Sequence, residues 1–208
     1  MSSKTEILDV APIDFIHALS RSLWKRGMKG FAPAEFEAQT IDMEFHWVSK
    51  NGTASPSKLT SGISLVPTDS FETCPPLDIV LIGAHIIDYK PDEAELAFVR
   101  KAWEECSAFL TICGGVTVPL QAGILAGKTA TAPHMMLDML RVNAPETEWA
   151  TKRWARDGKL WTSGTLLNGM DMMANFMKHY WGGEGTYVEF LSKVGAWPDR
   201  DVDYKDAP

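Results

Sequence analysis

The chain has 208 residues and a mass of 23.0 kDa, enough for one domain with a sizeable core. Hydrophobic residues at 45% and charged residues at 23% exclude a disordered chain. Twenty Lys and Arg against 27 Asp and Glu leave a net charge of -7 and a pI near 5.2, which excludes the diffuse positive field that nucleic acid or an anionic membrane surface would need. Apolar runs fall short of the roughly 20 residues that span a bilayer, and the first residues, Met-Ser-Ser-Lys-Thr-Glu, form no secretory h-region, so the expected location is cytoplasmic. Cys74, Cys106 and Cys113 are an odd count without a CxxC spacing, which speaks against a disulfide framework and against a zinc site.

In chain order, a helix is expected from Pro12, where apolar residues recur at Ile13, Phe15, Ile16 and Leu19. Residues 40–48, Thr-Ile-Asp-Met-Glu-Phe-His-Trp-Val, alternate with period two and predict a strand with one solvated face, followed by a turn at Asn51-Gly52 and a second strand over residues 62–66. Residues 77–84, Leu-Asp-Ile-Val-Leu-Ile-Gly-Ala, form a β-branched run typical of a strand buried on both faces. Pro91-Asp92-Glu93 opens a helix with the stripe Leu96, Val99, Trp103 and Cys106, which makes Cys106 a core residue. Residues 108–113 form another buried strand, broken by Gly114-Gly115 and followed by a helical stretch over 116–125. A short strand over 128–132, a Met-rich helix over 135–141, a hairpin joining 151–155 to 160–163, and a helix over 168–180 complete the order. Alternation of buried strands and helices predicts an α/β domain with a mostly parallel sheet, and the acidic residues of about 198–208 predict a solvated tail.

In such sheets ligands sit beyond the carboxyl ends of the strands, so residues at strand-to-helix junctions are the candidates. Cys113 occupies one. On a sharp turn permitted by Gly114 and Gly115, it reads as a nucleophile at an elbow whose helix N-terminus favours the thiolate, with a buried structural thiol as the equally weighted alternative.

The segment Cys113-Gly-Gly, then Leu120-Gln-Ala-Gly-Ile-Leu-Ala-Gly-Lys-Thr-Ala-Thr, resembles the elbow region of the ThiJ/PfpI superfamily, and within it the isonitrile hydratase-like branch. Leu8-Asp9-Val10-Ala11-Pro12, the run from Asp69 to Val80, Arg156-Asp-Gly-Lys-Leu-Trp-Thr-Ser-Gly and Gly169-Met-Asp171 are similar to further family segments, so the resemblance covers about residues 5–182. It implies a flavodoxin-like three-layer α/β sandwich over a single domain, 1–208, a homodimer, no cofactor, a small-molecule substrate, and Asp9 as an acid beside the Cys113 nucleophile. Asp9 reads on its own as a helix cap. The chain departs from the family pattern in four places. Few residues precede Asp9, so the first strand is missing or atypical. Gly83-Ala84-His85 replaces the family's Gly-Gly, where a backbone N–H helps form an oxyanion hole. Gly114 stands where isonitrile hydratases carry threonine. His134 falls one place late. Gly83, Ala84, His85, Gly114, His134 and Thr162 are the substrate-binding candidates, and the abundant Trp and Met residues divide between core, dimer interface and an apolar pocket.

Three functions fit these residues. One is a cysteine-dependent hydro-lyase acting on a small apolar electrophile, with glyoxalase-type chemistry as a relative. A second is the same pocket repurposed for a lyase or cyclisation step of specialised metabolism. A third is a redox or stress sensor built on an oxidisable elbow thiol. An amidotransferase reading lacks a Cys-His-Glu triad.

Overall fold

The computed structural model describes residues 5–85 and 88–206. The chain begins with two short helices, α1 (Ile7–Val10) and α2 (Ile13–His17), then a single turn, α3 (Arg21–Leu23), that widens into a π turn over Trp24–Met28. A small hairpin, β1 (Ser57–Lys58) with β2 (Ser64–Leu65), precedes β3 (Ile79–Ile82). The helix α4 (Glu93–Glu105) starts where the Asp92 carboxylate accepts the Glu95 N–H, an N-cap reinforced by acids in the first turn. Then come β4 (Ala108–Ile112), a 3-10 turn over Cys113–Val116, α5 (Thr117–Gln121), β5 (Thr129–Ala130), α6 (His134–Asn143), β6 (Glu148–Trp149), β7 (Trp154–Asp157), β8 (Leu160–Ser163), α7 (Leu167–Trp181) and α8 (Tyr187–Val194).

The main sheet has the order β3-β4-β8-β7. Strands β3, β4 and β8 run parallel, and β7 returns antiparallel through a tight turn at Gly158-Lys159. A two-stranded parallel pair, β5 with β6, is tied to this sheet where the Thr131 N–H donates to the Thr162 hydroxyl at 2.8 Å and the Thr129 N–H to the Asp157 carboxylate at 2.8 Å.

Strand alternation sorts the core into two layers. Ala108, Leu110, Ile112 and Trp161 pack toward α2, α7 and α8, with Met172, Met173, Phe176, Tyr187 and Leu191. Val80, Phe109 and Leu160 face the other way, toward Val99, Ala102, Leu125, Leu137 and Leu140 of the α4-to-α6 layer. Helices cover both faces of a mostly parallel sheet, a flavodoxin-like sandwich, and the fully buried β4 at its centre follows from that. Each fully buried large side chain contributes about 1.5–3 kcal/mol. Most of the aromatic residues are spent here: Trp24 and Trp161 are buried, and Trp154 stacks on Trp161 at 5.6 Å between ring centres.

Two expectations change and one holds. Residues 40–48 are not a strand of any sheet, because only Ile41 and Val48, at the two ends, make bridges, to Ser20 and Asp69. As expected, no first strand precedes Asp9 among the described residues, and the chain from Glu6 enters α1 directly. The acidic tail keeps Asp199, Asp203 and Asp206 exposed but is tied down onto the body. Trp197 stacks on Phe15 at 4.4 Å, and the buried Arg153 guanidinium binds the Asp201 carbonyl, the Asp206 carboxylate and Asn168. Arg200 grips the fully buried Asp171 carboxylate in a forked pair. The tail's acids are partners for cations of the body, which composition alone hides.

Removing one member of a buried ion pair strands the other charge. Arg200→Ala is expected to cost about 3 kcal/mol in urea unfolding, whereas Lys178→Ala, which breaks only the exposed pair to Asp199, costs under about 1 kcal/mol.

Candidate active site

At the carboxyl end of β4 the backbone turns at Cys113 with φ of +58°, a left-handed conformation that a non-glycine residue holds only when its surroundings impose it. Two contacts impose it. The Cys113 N–H donates to the Gly164 carbonyl at the end of β8, at 3.2 Å. Gly115 lies so close to the end of β3 that a Cβ there would sit 2.4 Å from the Ile82 carbonyl oxygen. The turn is pinned between two strand ends, and the thiol is presented at its tip, half-buried.

The second element of the site is α1. Gly83 follows β3, and a Cβ on it would meet Thr5 at 2.8 Å and Asp9 at 3.1 Å, so the absence of a side chain lets α1 settle on the strand end. The Thr5 hydroxyl donates to the Ala84 carbonyl at 2.8 Å, and the Ala84 N–H donates to Asp9 Oδ2 at 3.1 Å. Asp9 is 0% exposed, and its Oδ1 has no hydrogen-bond partner among the described residues. The Cys113 thiol, Asp9 and Glu6 bring their ligand atoms within 4.8 Å of one another. This is a thiol with two carboxylates, a donor set also able to hold a cation. Sequence reasoning missed Glu6. Its signal was the i, i+3 spacing to Asp9, which on a helical turn puts both carboxyls on one side.

Burial pushes the Asp9 carboxyl up to about 6, with the Glu6 charge adding to the rise and the Ala84 N–H opposing it. Burial, then the Asp9 charge, push the Cys113 thiol up to about 11, against the lowering effect of the Gly114 N–H. Burial and the neighbouring charge both work against the thiolate expected at a helix N-terminus. The helix α5 is five residues long, too short for a strong dipole, and two carboxylates stand nearby.

The remaining candidates divide. Gly83 and Ala84 frame Asp9, and Gly114 lies beside Ala84, where a Cβ would make an ordinary 3.6 Å contact. Since Ala84 commits its N–H to Asp9, it does not offer the donor that the family pattern implies for an oxyanion. The His85 ring is stacked on Tyr89 at 4.4 Å, both its nitrogens are buried without partners, and burial lowers its pKa to about 4, so it is neutral. His134 is exposed at the start of α6, near Tyr204. Thr162 is fully buried with its hydroxyl used by the Thr131 N–H, a core tie and not an open binding group. A cavity of 720 Å³ borders the site through Thr5, Gly83 and His85 without touching Asp9 or Cys113.

Comparisons with known proteins show the family and the fold. Residues 28–179 match the DJ-1/PfpI family, and the chain belongs to that family. It is 32% identical over 141 residues to an isonitrile hydratase of Pseudomonas putida, a match that covers 67% of this chain and 60% of that protein. Among solved structures, it superposes on Drosophila melanogaster DJ-1beta with a TM-score of 0.72 at 16% identity, covering 96% of each chain. A THiJ/PfpI family protein from Pseudomonas syringae gives 0.70 at 18% identity, over 97% of this chain and 75% of the other. These structural likenesses carry the fold. No helix among the described residues is long and apolar enough to cross a membrane.

A carboxyl whose pKa is raised by folding favours the native state while protonated, and that contribution is lost as pH rises from about 4 through about 6. Above that range Asp9 holds back about 3 kcal/mol of stability. Asp9→Asn is accordingly expected to raise Tm by several degrees at pH 8, with the two melting curves converging only below about pH 4. Equal Tm values at pH 8 would mean that the carboxylate is not buried as described.

Proposed function

We propose that the protein is a cytoplasmic, cofactor-free hydro-lyase that adds water to a small apolar electrophile of the isonitrile class, with Cys113 as nucleophile and Asp9 as its proton partner. The observation that carries this reading is a fully buried, half-satisfied Asp9 carboxyl within reach of a thiol on a strained elbow. Between about 6 and about 11 the pair holds one proton, on sulfur, and one charge, on the carboxylate. As the sulfur bonds to the terminal carbon of R–N≡C, Asp9 takes the thiol proton and delivers it to that same carbon, leaving the thioimidate R–N=CH–S. Water then adds to the carbon, placing its oxygen there and one proton on nitrogen. Collapse breaks the C–S bond, returns the hydroxyl proton to sulfur through Asp9, and releases R–NH–CHO. The atoms balance as substrate plus one water.

The relative named isonitrile hydratase supports the substrate class. The chain spans 60% of that relative's length. A thiol held protonated counts against the redox-sensor alternative, because oxidation follows thiolate character.

The test is loss of a small alkyl isonitrile and appearance of its N-formamide. Cys113→Ala is expected to abolish turnover and Asp9→Asn to lower kcat/KM by about 10²- to 10⁴-fold. In the wild type, kcat/KM rises as pH passes through about 6, where Asp9 becomes able to take the proton, and then stays level through pH 9. A profile that falls above pH 6 would mean that Asp9 works as a pre-protonated acid, and turnover by Cys113→Ala would remove the covalent route.

We also propose a homodimer. On α6, Met135, Met139 and Val142 are 88%, 51% and 78% exposed at helical offsets that make one apolar stripe, a face suited to its own copy. Light scattering is expected to report a dimer that Met139→Asp converts to monomer. A wild-type monomer at micromolar concentration ends the proposal.

A further inference from the structure

Glu6 is the member of the site cluster to which the reaction above gives no part. Its carboxyl lies within 4.8 Å of both the Asp9 carboxyl and the Cys113 thiol. The backbone is anchored on either side of it. The Thr60 N–H donates to the Thr5 carbonyl at 3.1 Å and the Thr5 hydroxyl to the Ala84 carbonyl, while Asp9 donates its N–H to the Glu6 carbonyl and holds the Ala84 N–H. Glu6 occupies the N-cap position of α1, where a side-chain oxygen ordinarily accepts an N–H of the first turn, yet its side chain caps nothing. The carboxyl stands beside the thiol instead.

The second half of the reaction needs a group that Asp9 does not supply. Asp9 is fully buried, its Oδ2 is engaged by the Ala84 N–H, and only Oδ1 is free to exchange a proton with the sulfur and the carbon bonded to it. Water has to reach the thioimidate carbon from solvent, and Glu6 is the carboxyl of the cluster that is not buried. An oxygen within 4.8 Å of sulfur leaves room for one water between itself and a carbon one bond from that sulfur. Such a water can hydrogen-bond the carboxylate at about 2.6–3.2 Å and approach the carbon at about 3–3.5 Å. The histidine candidates lie elsewhere: both His85 nitrogens are buried in the stack on Tyr89, and His134 is exposed at the start of α6 near Tyr204.

We propose that Glu6 is a further catalytic residue, which holds the hydrolytic water and carries one of its protons to nitrogen, a role that rests on the reaction proposed above. As the water oxygen bonds to the thioimidate carbon, Glu6 takes a proton from that water and the π pair of the C=N bond moves to nitrogen. Glu6 then gives the proton to nitrogen and is a carboxylate again. What remains on the enzyme is R–NH–CH(OH)–S, ready for the collapse that Asp9 assists. Two carboxyls one helical turn apart thus divide the work by burial, Asp9 serving the sulfur and Glu6 the water. The Glu6 charge reaches both partners, where it adds to the rise that burial causes in Asp9 and in the thiol.

The test mixes n-butyl isonitrile with the full protein and follows the intact mass of rapidly quenched samples together with the N-formamide they contain. Because the Glu6 side chain caps nothing, Glu6→Gln should fold as the wild type does. It is expected to gain one isonitrile per chain on Cys113 as fast as the wild type and to release the formamide about 10²-fold or more slowly, so that adduct accumulates. Hydroxylamine, a stronger nucleophile that needs no base, should discharge the adduct from Glu6→Gln and from the wild type at equal rates. Formamide release as fast from Glu6→Gln as from the wild type would overturn the role of Glu6 and leave the Cys113 route standing. Slowed adduct formation in Glu6→Gln would mean that Glu6 acts on the first step through Asp9, and would overturn the role as well. A wild type that forms neither adduct nor formamide would overturn the reaction itself, and this role with it.

Discussion

The close seating of the Cys113 turn against the end of β3 governs the candidate site. Gly115 rests on the carbonyls of Ile82 and Gly83, and Gly83 in turn receives α1, so two positions without side chains let three chain segments converge at one point. Any Cβ at Gly115 would push the turn off the strand end and move the thiol away from Asp9. The left-handed Cys113 is the strained consequence of that seating, and the bond from its N–H to Gly164 holds it there.

Electrostatics follow from the same convergence. With α1 set down on the strand end, Asp9 loses its water and keeps only the Ala84 N–H, and the thiol loses its water beside a carboxylate. Burial makes each group resist ionising, the Asp9 charge adds to the resistance of the thiol, and the Glu6 charge adds to that of Asp9. The outcome is one proton shared by two acids over most of the physiological range, which suits the proposed reaction, in which a proton moves off sulfur and onto carbon. A lone thiolate at a strong helix N-terminus would be a better leaving group and a readier target for oxidation.

The periphery shows how a sheet depends on its neighbours. The C-terminal segment, rich in acids, folds back because Arg153 and Arg200 need partners and because Asp171, buried beneath it, needs a cation. On the opposite edge the compensation is incomplete, and residues 40–48 lie opposite β3 with a strand's sequence and no ladder. Strand structure requires a partner at about 4.8 Å, and period-two patterning does not supply one.

What the amino-acid sequence determined alone was whatever depends on local pattern. The apolar runs of β3 and β4, the Asp92 cap and stripe of α4, the turn at Gly158, and the glycines after Cys113 each carry their physical cause within a few residues, and they placed the sandwich and the elbow correctly. The match to known segments extended this to Asp9. Only the tertiary structure decided what depends on distance through space: that Glu6 stands with Asp9 and Cys113, that Thr162 serves the core, that His85 stacks on Tyr89, and that burial raises the thiol. Burial and charge proximity set these properties, and both are sums over neighbours that the chain brings together only once it has folded.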